Sequence, residues 1–519
     1  MRTMTMAIPI ATVLLSLAAA APWAGPLRGT VRLGHVFVDE TGDRSAVQET
    51  YDLEEGFAVS RIQLTGTSGS RSTLALDVRD INLRSRAGDV ALRVPGRLRL
   101  AGGYDQNRYV FDPARGVTSE RKDWRASAQF TARRWLSLSA DFNRSVREGE
   151  RRALPAGTRS VLGERYDDRF MTGQVGAEVR SGRVGVAASY RMSDYADWLN
   201  DAAARRGRVV SARMWAPMPF HGRWNNLLRG SYGTRELTRG GVEWTLAGLQ
   251  FTSILQPRDA WQLRYALDAS RVEDESDADN RTDRVLNDVD LTWFHRYGRL
   301  SGGFGYETHD DDRSLTTATG WRAGASLRPN DRMDARVDYA GRVRKDEESL
   351  TLLQDVEASR LRARLEVRPI RSLTVGGDLA RRERELPDIG VSADGTVTGA
   401  LVRVEIAGWG SLSGDYSHSE DEFTDLAGGF ETVGDVVTGR AEIVRFPGLR
   451  LAGGVAYLDY GGDLDLEKST VFAEAALRLA GRYHLSAKYN CYNYDDYILL
   501  DRYYTANVVR VELGYDLQP

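Results

Sequence analysis

The sequence predicts an all-β protein: a single large transmembrane antiparallel β-barrel of about 26 strands, with short periplasmic turns and longer extracellular loops. Three observations lead there. Charged and apolar residues alternate with a period of two, short turns recur at a nearly constant interval, and aromatic residues gather beside those turns.

The alternation is clearest in the stretch EASRLRARLEVRPIRSLTVGGDLARRERE. Arg360, Arg362, Arg364, Glu366 and Arg368 alternate with Leu361, Ala363, Leu365 and Val367. Arg336, Asp338, Arg342 and Arg344 oppose Val337, Tyr339, Gly341 and Val343 in the same way. Near the end, Arg510, Glu512, Gly514 and Asp516 oppose Val509, Val511, Leu513, Tyr515 and Leu517. A period of two means strands with one polar and one apolar face. The apolar faces are expected to meet lipid. Arg336, Asp338, Arg342, Arg360, Arg362, Arg364, Glu366, Arg510 and Glu512 are expected to face the lumen.

Hydrocarbon supplies no hydrogen-bond partners to a backbone, so only a closed sheet can cross it. Closure is expected between Arg510–Leu517 and a first strand near Leu27–Val38. Short turns are expected at Thr67–Ser70, Val94–Gly96, Arg133–Arg134, Ser181–Gly182, Pro217–His221, Gln256–Asp259 and Tyr297–Arg299. Further turns are expected at Arg328–Asp331, Pro369–Arg371, Gly408–Gly410, Phe446–Gly448 and Ala480–Arg482. An interval of about 40 residues suits two strands and one longer connection. The longer connections read as acidic loops at Glu273–Asn280, Glu307–Arg313 and Ser417–Asp425. Trp135, Trp224, Trp261, Tyr297, Trp409 and Tyr483 flank the short turns, as an interfacial aromatic girdle requires.

Arg2 precedes an apolar run from Ala7 to Ala21, with small residues continuing to Ala24. This reads as a signal peptide over residues 1–24, with the barrel over 25–519. No later run is apolar over the roughly 20 residues of a membrane helix. A net charge of −3 argues against nucleic acid as a partner and leaves membrane lipid. The single cysteine, Cys491, forms no intrachain disulfide and completes no CxxCH, so the chain itself carries no haem. The six histidines are scattered, the acidic runs lack the EF-hand pattern, and no GxSxG elbow occurs. No catalytic, cofactor-binding or metal-binding residue is assigned, and the chain does not read as an enzyme.

Strand-like alternation starts at LRGTVRLGHVFVD, immediately after the expected cleavage site, and the final strand stops close to Pro519. The chain is therefore expected to hold no plug domain of its own, which leaves a wide polar lumen to be filled by another protein or narrowed by loops folding inward. With GRLRLAGGYDQNRYVFD and RRWLSLSADFNRS, this layout resembles the MtrB/PioB-type outer-membrane porins of porin–cytochrome electron conduits. The resemblance covers the mature chain, without the CxxC some members carry. It implies an outer-membrane barrel sheathing a periplasmic multihaem c-type cytochrome for extracellular electron transfer. It also implies haem carried by that partner and an extracellular multihaem cytochrome or mineral near the acidic loops. The alternative is a large diffusion or export porin without haem.

Overall fold

A computed structural model describes residues 27–42, 54–68, 72–112, 117–152, 163–198, 204–217, 223–237, 241–275, 277–311, 314–347, 355–425, 428–479, 481–497 and 503–517. The expected signal peptide lies outside them. The strands begin with Leu27–Gly42 (β1), Gly56–Thr67 (β2), Thr73–Arg79 (β3), Arg86–Val94 (β4), Leu98–Asp112 (β5), Val117–Arg133 (β6), Leu136–Arg152 (β7), Gly163–Ser181 (β8) and Val184–Asp197 (β9). Next come Arg205–Pro217 (β10), Trp224–Leu237 (β11), Glu243–Arg258 (β12), Trp261–Asp274 (β13), Asp277–His295 (β14), Gly298–Asp311 (β15), Ser314–Asn330 (β16), Met333–Asp346 (β17) and Val356–Ile370 (β18). The last are Leu373–Leu386 (β19), Val391–Ile406 (β20), Gly410–Asp425 (β21), Gly428–Ile443 (β22), Leu449–Gly462 (β23), Leu466–Arg478 (β24), Tyr483–Asp496 (β25) and Tyr503–Leu517 (β26).

All 26 strands belong to one sheet, each antiparallel to its sequence neighbours. β1 pairs with β26 from Gly29 opposite Leu517 to Gly42 opposite Tyr504, which closes the barrel where the sequence expected it. Neighbouring strands lie about 4.8 Å apart and tilt by about 40°, so the wall is roughly 160 Å around. The even-to-odd connections are short and share one rim with β1's start and β26's end. Gly408 (φ 73°) and Gly410 (φ 146°) bend the β20–β21 turn through backbone conformations that disfavour a Cβ.

Three acidic segments differ from the expectation of long loops. β13 ends at Asp274 and β14 begins at Asp277; β15 ends at Asp311 and β16 begins at Ser314; β21 ends at Asp425 and β22 begins at Gly428. Most of those residues continue the ladder. Composition suggested loops because the strands outrun the membrane, and their upper portions are as polar as a loop.

A one-layer wall has little core. Among the described residues, Tyr504 is the large side chain that is fully buried. Leucine, valine and aromatic side chains are instead widely exposed along one face, including Leu291, Leu300, Phe304, Trp321, Val337, Leu365 and Val402. In water such a band would drive association, whereas around a barrel it is the surface that meets lipid. The fold is that of an outer-membrane β-barrel.

Candidate functional site

The opposite, charged face carries the chemistry. On β17 and β18, Arg336 stands opposite Arg364, Asp338 opposite Arg362, and Ala340 opposite Arg360. On β18 and β19, Arg360 faces Arg382, Arg362 faces Ala380, and Arg364 faces Asp378. The predicted residues Arg336, Asp338, Arg342, Arg360, Arg362, Arg364 and Glu366 therefore share one face of neighbouring strands. Arg336 bonds Asp338, Arg364 and Arg368 reach Glu366 at 3.5 and 3.0 Å, and Arg342 reaches Glu307 at 2.8 Å.

Arg510 and Glu512 lie elsewhere, at the closing seam. Arg510 donates to Asp80 and to Glu512, each at 2.6 Å. Asp80 begins the β3–β4 connection, whose Asn82 amide group bonds the β2 backbone at Phe57 and Val59. Arg510 thus ties the last strand to a connection between early ones, a structural task.

Other parts of the charged face were missed as sites. Arg264 on β13 and Arg322 on β16 clamp Asp288 and Asp290 on β14. Between Asp290 and Arg322 lies Gly303, where a Cβ would meet Asp290 Oδ1 at 2.3 Å and Arg322 Nε at 2.7 Å. Gly103 plays the same part beneath Asp89 and Arg125, and Gly395 beneath Arg382 and Asp421. Trp215 lies over Gly185, with the guanidiniums of Arg180 and Arg213 each 5.4 Å from its ring. Parity was the available signal for it, since Trp215 alternates with the exposed Val210 and Met214.

The six aromatic candidates all stand at the turn rim. Trp135, Tyr297 and Trp409 lie in the turns; Trp224, Trp261 and Tyr483 open their strands. The ring centroids of Trp261 and Trp293 lie 6.2 Å apart, those of Tyr483 and Tyr515 5.0 Å apart, and the Trp224 indole N–H donates to the Ser253 hydroxyl.

The other edge of the apolar band is marked by ion pairs on the same parity as the aliphatics. Arg169–Asp194, Arg271–Asp283 and Arg381–Glu383 occupy it, at 3.0, 2.7 and 2.5 Å. Past the end of β25, the Tyr497 phenol donates to Glu467 at 2.9 Å, which pushes its pKa up to about 12. Among the described residues no group of three or more His, Cys, Asp or Glu is arranged to hold a metal ion. Cys491 is a half-buried strand residue with a free thiol.

No protein-family model and no curated protein matches the sequence. Solved structures do match the fold. The FrpB iron transporter from Neisseria meningitidis (F3-3 variant) aligns with a TM-score of 0.54 at 10% identity, over 94% of this chain and 81% of that one. A variant of the ferric enterobactin receptor PfeA from Pseudomonas aeruginosa, in complex with enterobactin, aligns with a TM-score of 0.51 at 10% identity, over 95% and 82%.

These neighbours are an iron transporter and a ferric enterobactin receptor, not MtrB/PioB-type porins. That corrects the expected family, the sheath role in electron transfer, the multihaem cytochrome partners inside and outside the barrel, and the diffusion-porin alternative. The physical reason is that alternation and turn spacing describe a membrane-spanning wall. Any large outer-membrane barrel must present the same pattern, whatever occupies its interior.

Proposed function

We propose that the chain is the barrel of an outer-membrane uptake receptor, one that captures a bulky ligand such as an iron chelate and passes it inward. In this reading the charged face lines the lumen, the turn rim is periplasmic and the far rim extracellular. One observation carries it: the wall rises well past the apolar band as a polar collar on the far side. β8 and β14 have 19 residues each. At about 3.4 Å per residue and a tilt near 40°, they rise roughly 50 Å, against an apolar band about 25 Å tall. On the inner face of that collar, pairs such as Arg284–Glu307 and Arg342–Glu307 give an incoming ligand a deep, charged entrance before the membrane begins. The named activities of the fold neighbours, iron transport and ferric enterobactin reception, support the same class of task.

The test is uptake. A strain lacking the chain should lose growth on one or more ferric chelates under iron limitation, and the purified barrel should bind those chelates. Unaltered growth across a broad chelate panel, together with no binding, would overturn the reading.

A further inference from the structure

The charge on the inner wall is uneven. Over four successive rows of β17–β19, Arg342 and Arg384 flank Ala358, Arg360 faces Arg382, Arg362 faces Asp338, and Arg364 lies between Arg336 and Asp378. Two of these are arginines directly opposite arginines, an arrangement that destabilises a sheet unless something compensates it. Some compensation is local: Arg336 bonds Asp338, Arg342 bonds Glu307, and Arg382 reaches Asp421 at 2.6 Å. Among the described residues, Arg360 and Arg362 form no ion pair, and both are exposed. Alanines stand beside them: Ala340 next to Arg360, and Ala380 next to Arg362. These small neighbours leave both guanidiniums open to the interior.

We infer that this ladder is a binding site for a polycarboxylate ligand, with Arg360 and Arg362 as its centre and Arg364 and Arg382 as its flanks. The guanidinium fork matches a carboxylate with two parallel hydrogen bonds. Same-face residues along a strand recur at about 6.8 Å and opposite ones at about 5 Å, so one ligand with several carboxylates spans the group. A neutral ligand gains nothing from the surplus charge. The inference rests on the uptake reading and narrows it to chelates whose exposed groups are carboxylates.

The experiment is calorimetric titration of citrate into the full-length barrel in detergent at low salt. The double variant Arg360→Gln with Arg362→Gln is compared with a control of equal charge loss on the other face, Arg169→Gln with Arg271→Gln. The ladder variant should bind citrate about tenfold or more weakly, the control should bind as the native barrel does, and added salt should weaken binding. Arg360→Lys with Arg362→Lys, which keeps the charge, should retain binding between the two, and it settles the matter if the glutamine variant fails to fold. Equal weakening in the ladder and control variants, or no citrate binding by the native barrel, would overturn the inference. Ferric-chelate binding measured on the same variants separates the two readings. Chelate binding unchanged in the ladder variant leaves uptake standing and removes the ladder's role. Citrate binding without any chelate binding leaves the ladder and removes uptake.

Discussion

Arg322 reaches Asp290 across an intervening strand, its guanidinium Nε 2.5 Å from the carboxylate oxygen, passing over Gly303. The pair joins β14 to β16 without a side chain of β15 in the way. Asp89–Arg125 over Gly103 and Arg382–Asp421 over Gly395 repeat the arrangement. Glycine weakens a strand in isolation. Here it supplies the space for a side-chain tie that adjacent-strand hydrogen bonding cannot make.

Gly303→Ala should therefore destabilise the barrel through that tie. The added Cβ pushes Asp290 and Arg322 apart, and a half-exposed pair of this kind is worth at most about 1 kcal/mol. In a background with Asp290→Ala and Arg322→Ala the same substitution should lose its destabilising effect. A double-mutant cycle on urea unfolding checks this, and an undiminished effect in that background would show that the glycine matters for another reason.

The face assignment predicts unequal tolerance of charge at adjacent positions. Leu365 lies on the apolar face about midway through the expected lipid band, and Glu366 lies on the charged face. Leu365→Arg should cost about 2–4 kcal/mol in the folded barrel. Glu366→Gln should fold into bilayers normally. Folding yield in lipid vesicles measures both, and equal yields would put the faces the wrong way round.

At the closing seam, Arg510→Ala should lower stability by about 1–3 kcal/mol, because it strands the partly buried carboxylates of Asp80 and Glu512. The heat-induced shift from folded to unfolded gel mobility should move to lower temperature. Arg510→Lys should recover part of the loss, since it keeps the charge without the two-pronged reach.

Tyr497 offers a pH test outside the membrane. Its phenol pKa is pushed up to about 12, chiefly by its hydrogen bond to Glu467. The folded chain thus holds this proton more tightly than the unfolded chain does. The associated stabilisation is complete below about pH 10 and is lost as pH rises toward 12. The difference absorbance between the native protein and Tyr497→Phe should report phenolate only near pH 12. In Glu467→Gln it should appear at lower pH, and an unchanged midpoint there would assign the shift to other neighbours.

The wall was legible from the sequence because its rules are local. Alternation from Arg360 to Val367 sets which residues share a face, the turn signals near Gly408–Gly410 and Pro369–Arg371 set the strand count, and the aromatics beside them mark one rim. Hydrocarbon then requires closure, which joins β1 to β26. The remainder depends on residues far apart in sequence. Opposing Arg336 to Arg364 and Arg360 to Arg382 needs the register of three strands, and no strand's own pattern contains it. The ties over Gly303, Gly103 and Gly395 need three strands as well, since the glycine's use lies in what crosses above it. The acidic segments that read as loops became strand because partners such as Glu273 and Arg281 sit in register beyond the lipid. What the lumen handles was the least legible of all: each strand must satisfy the membrane on its own, whereas a binding surface exists only once the strands stand side by side.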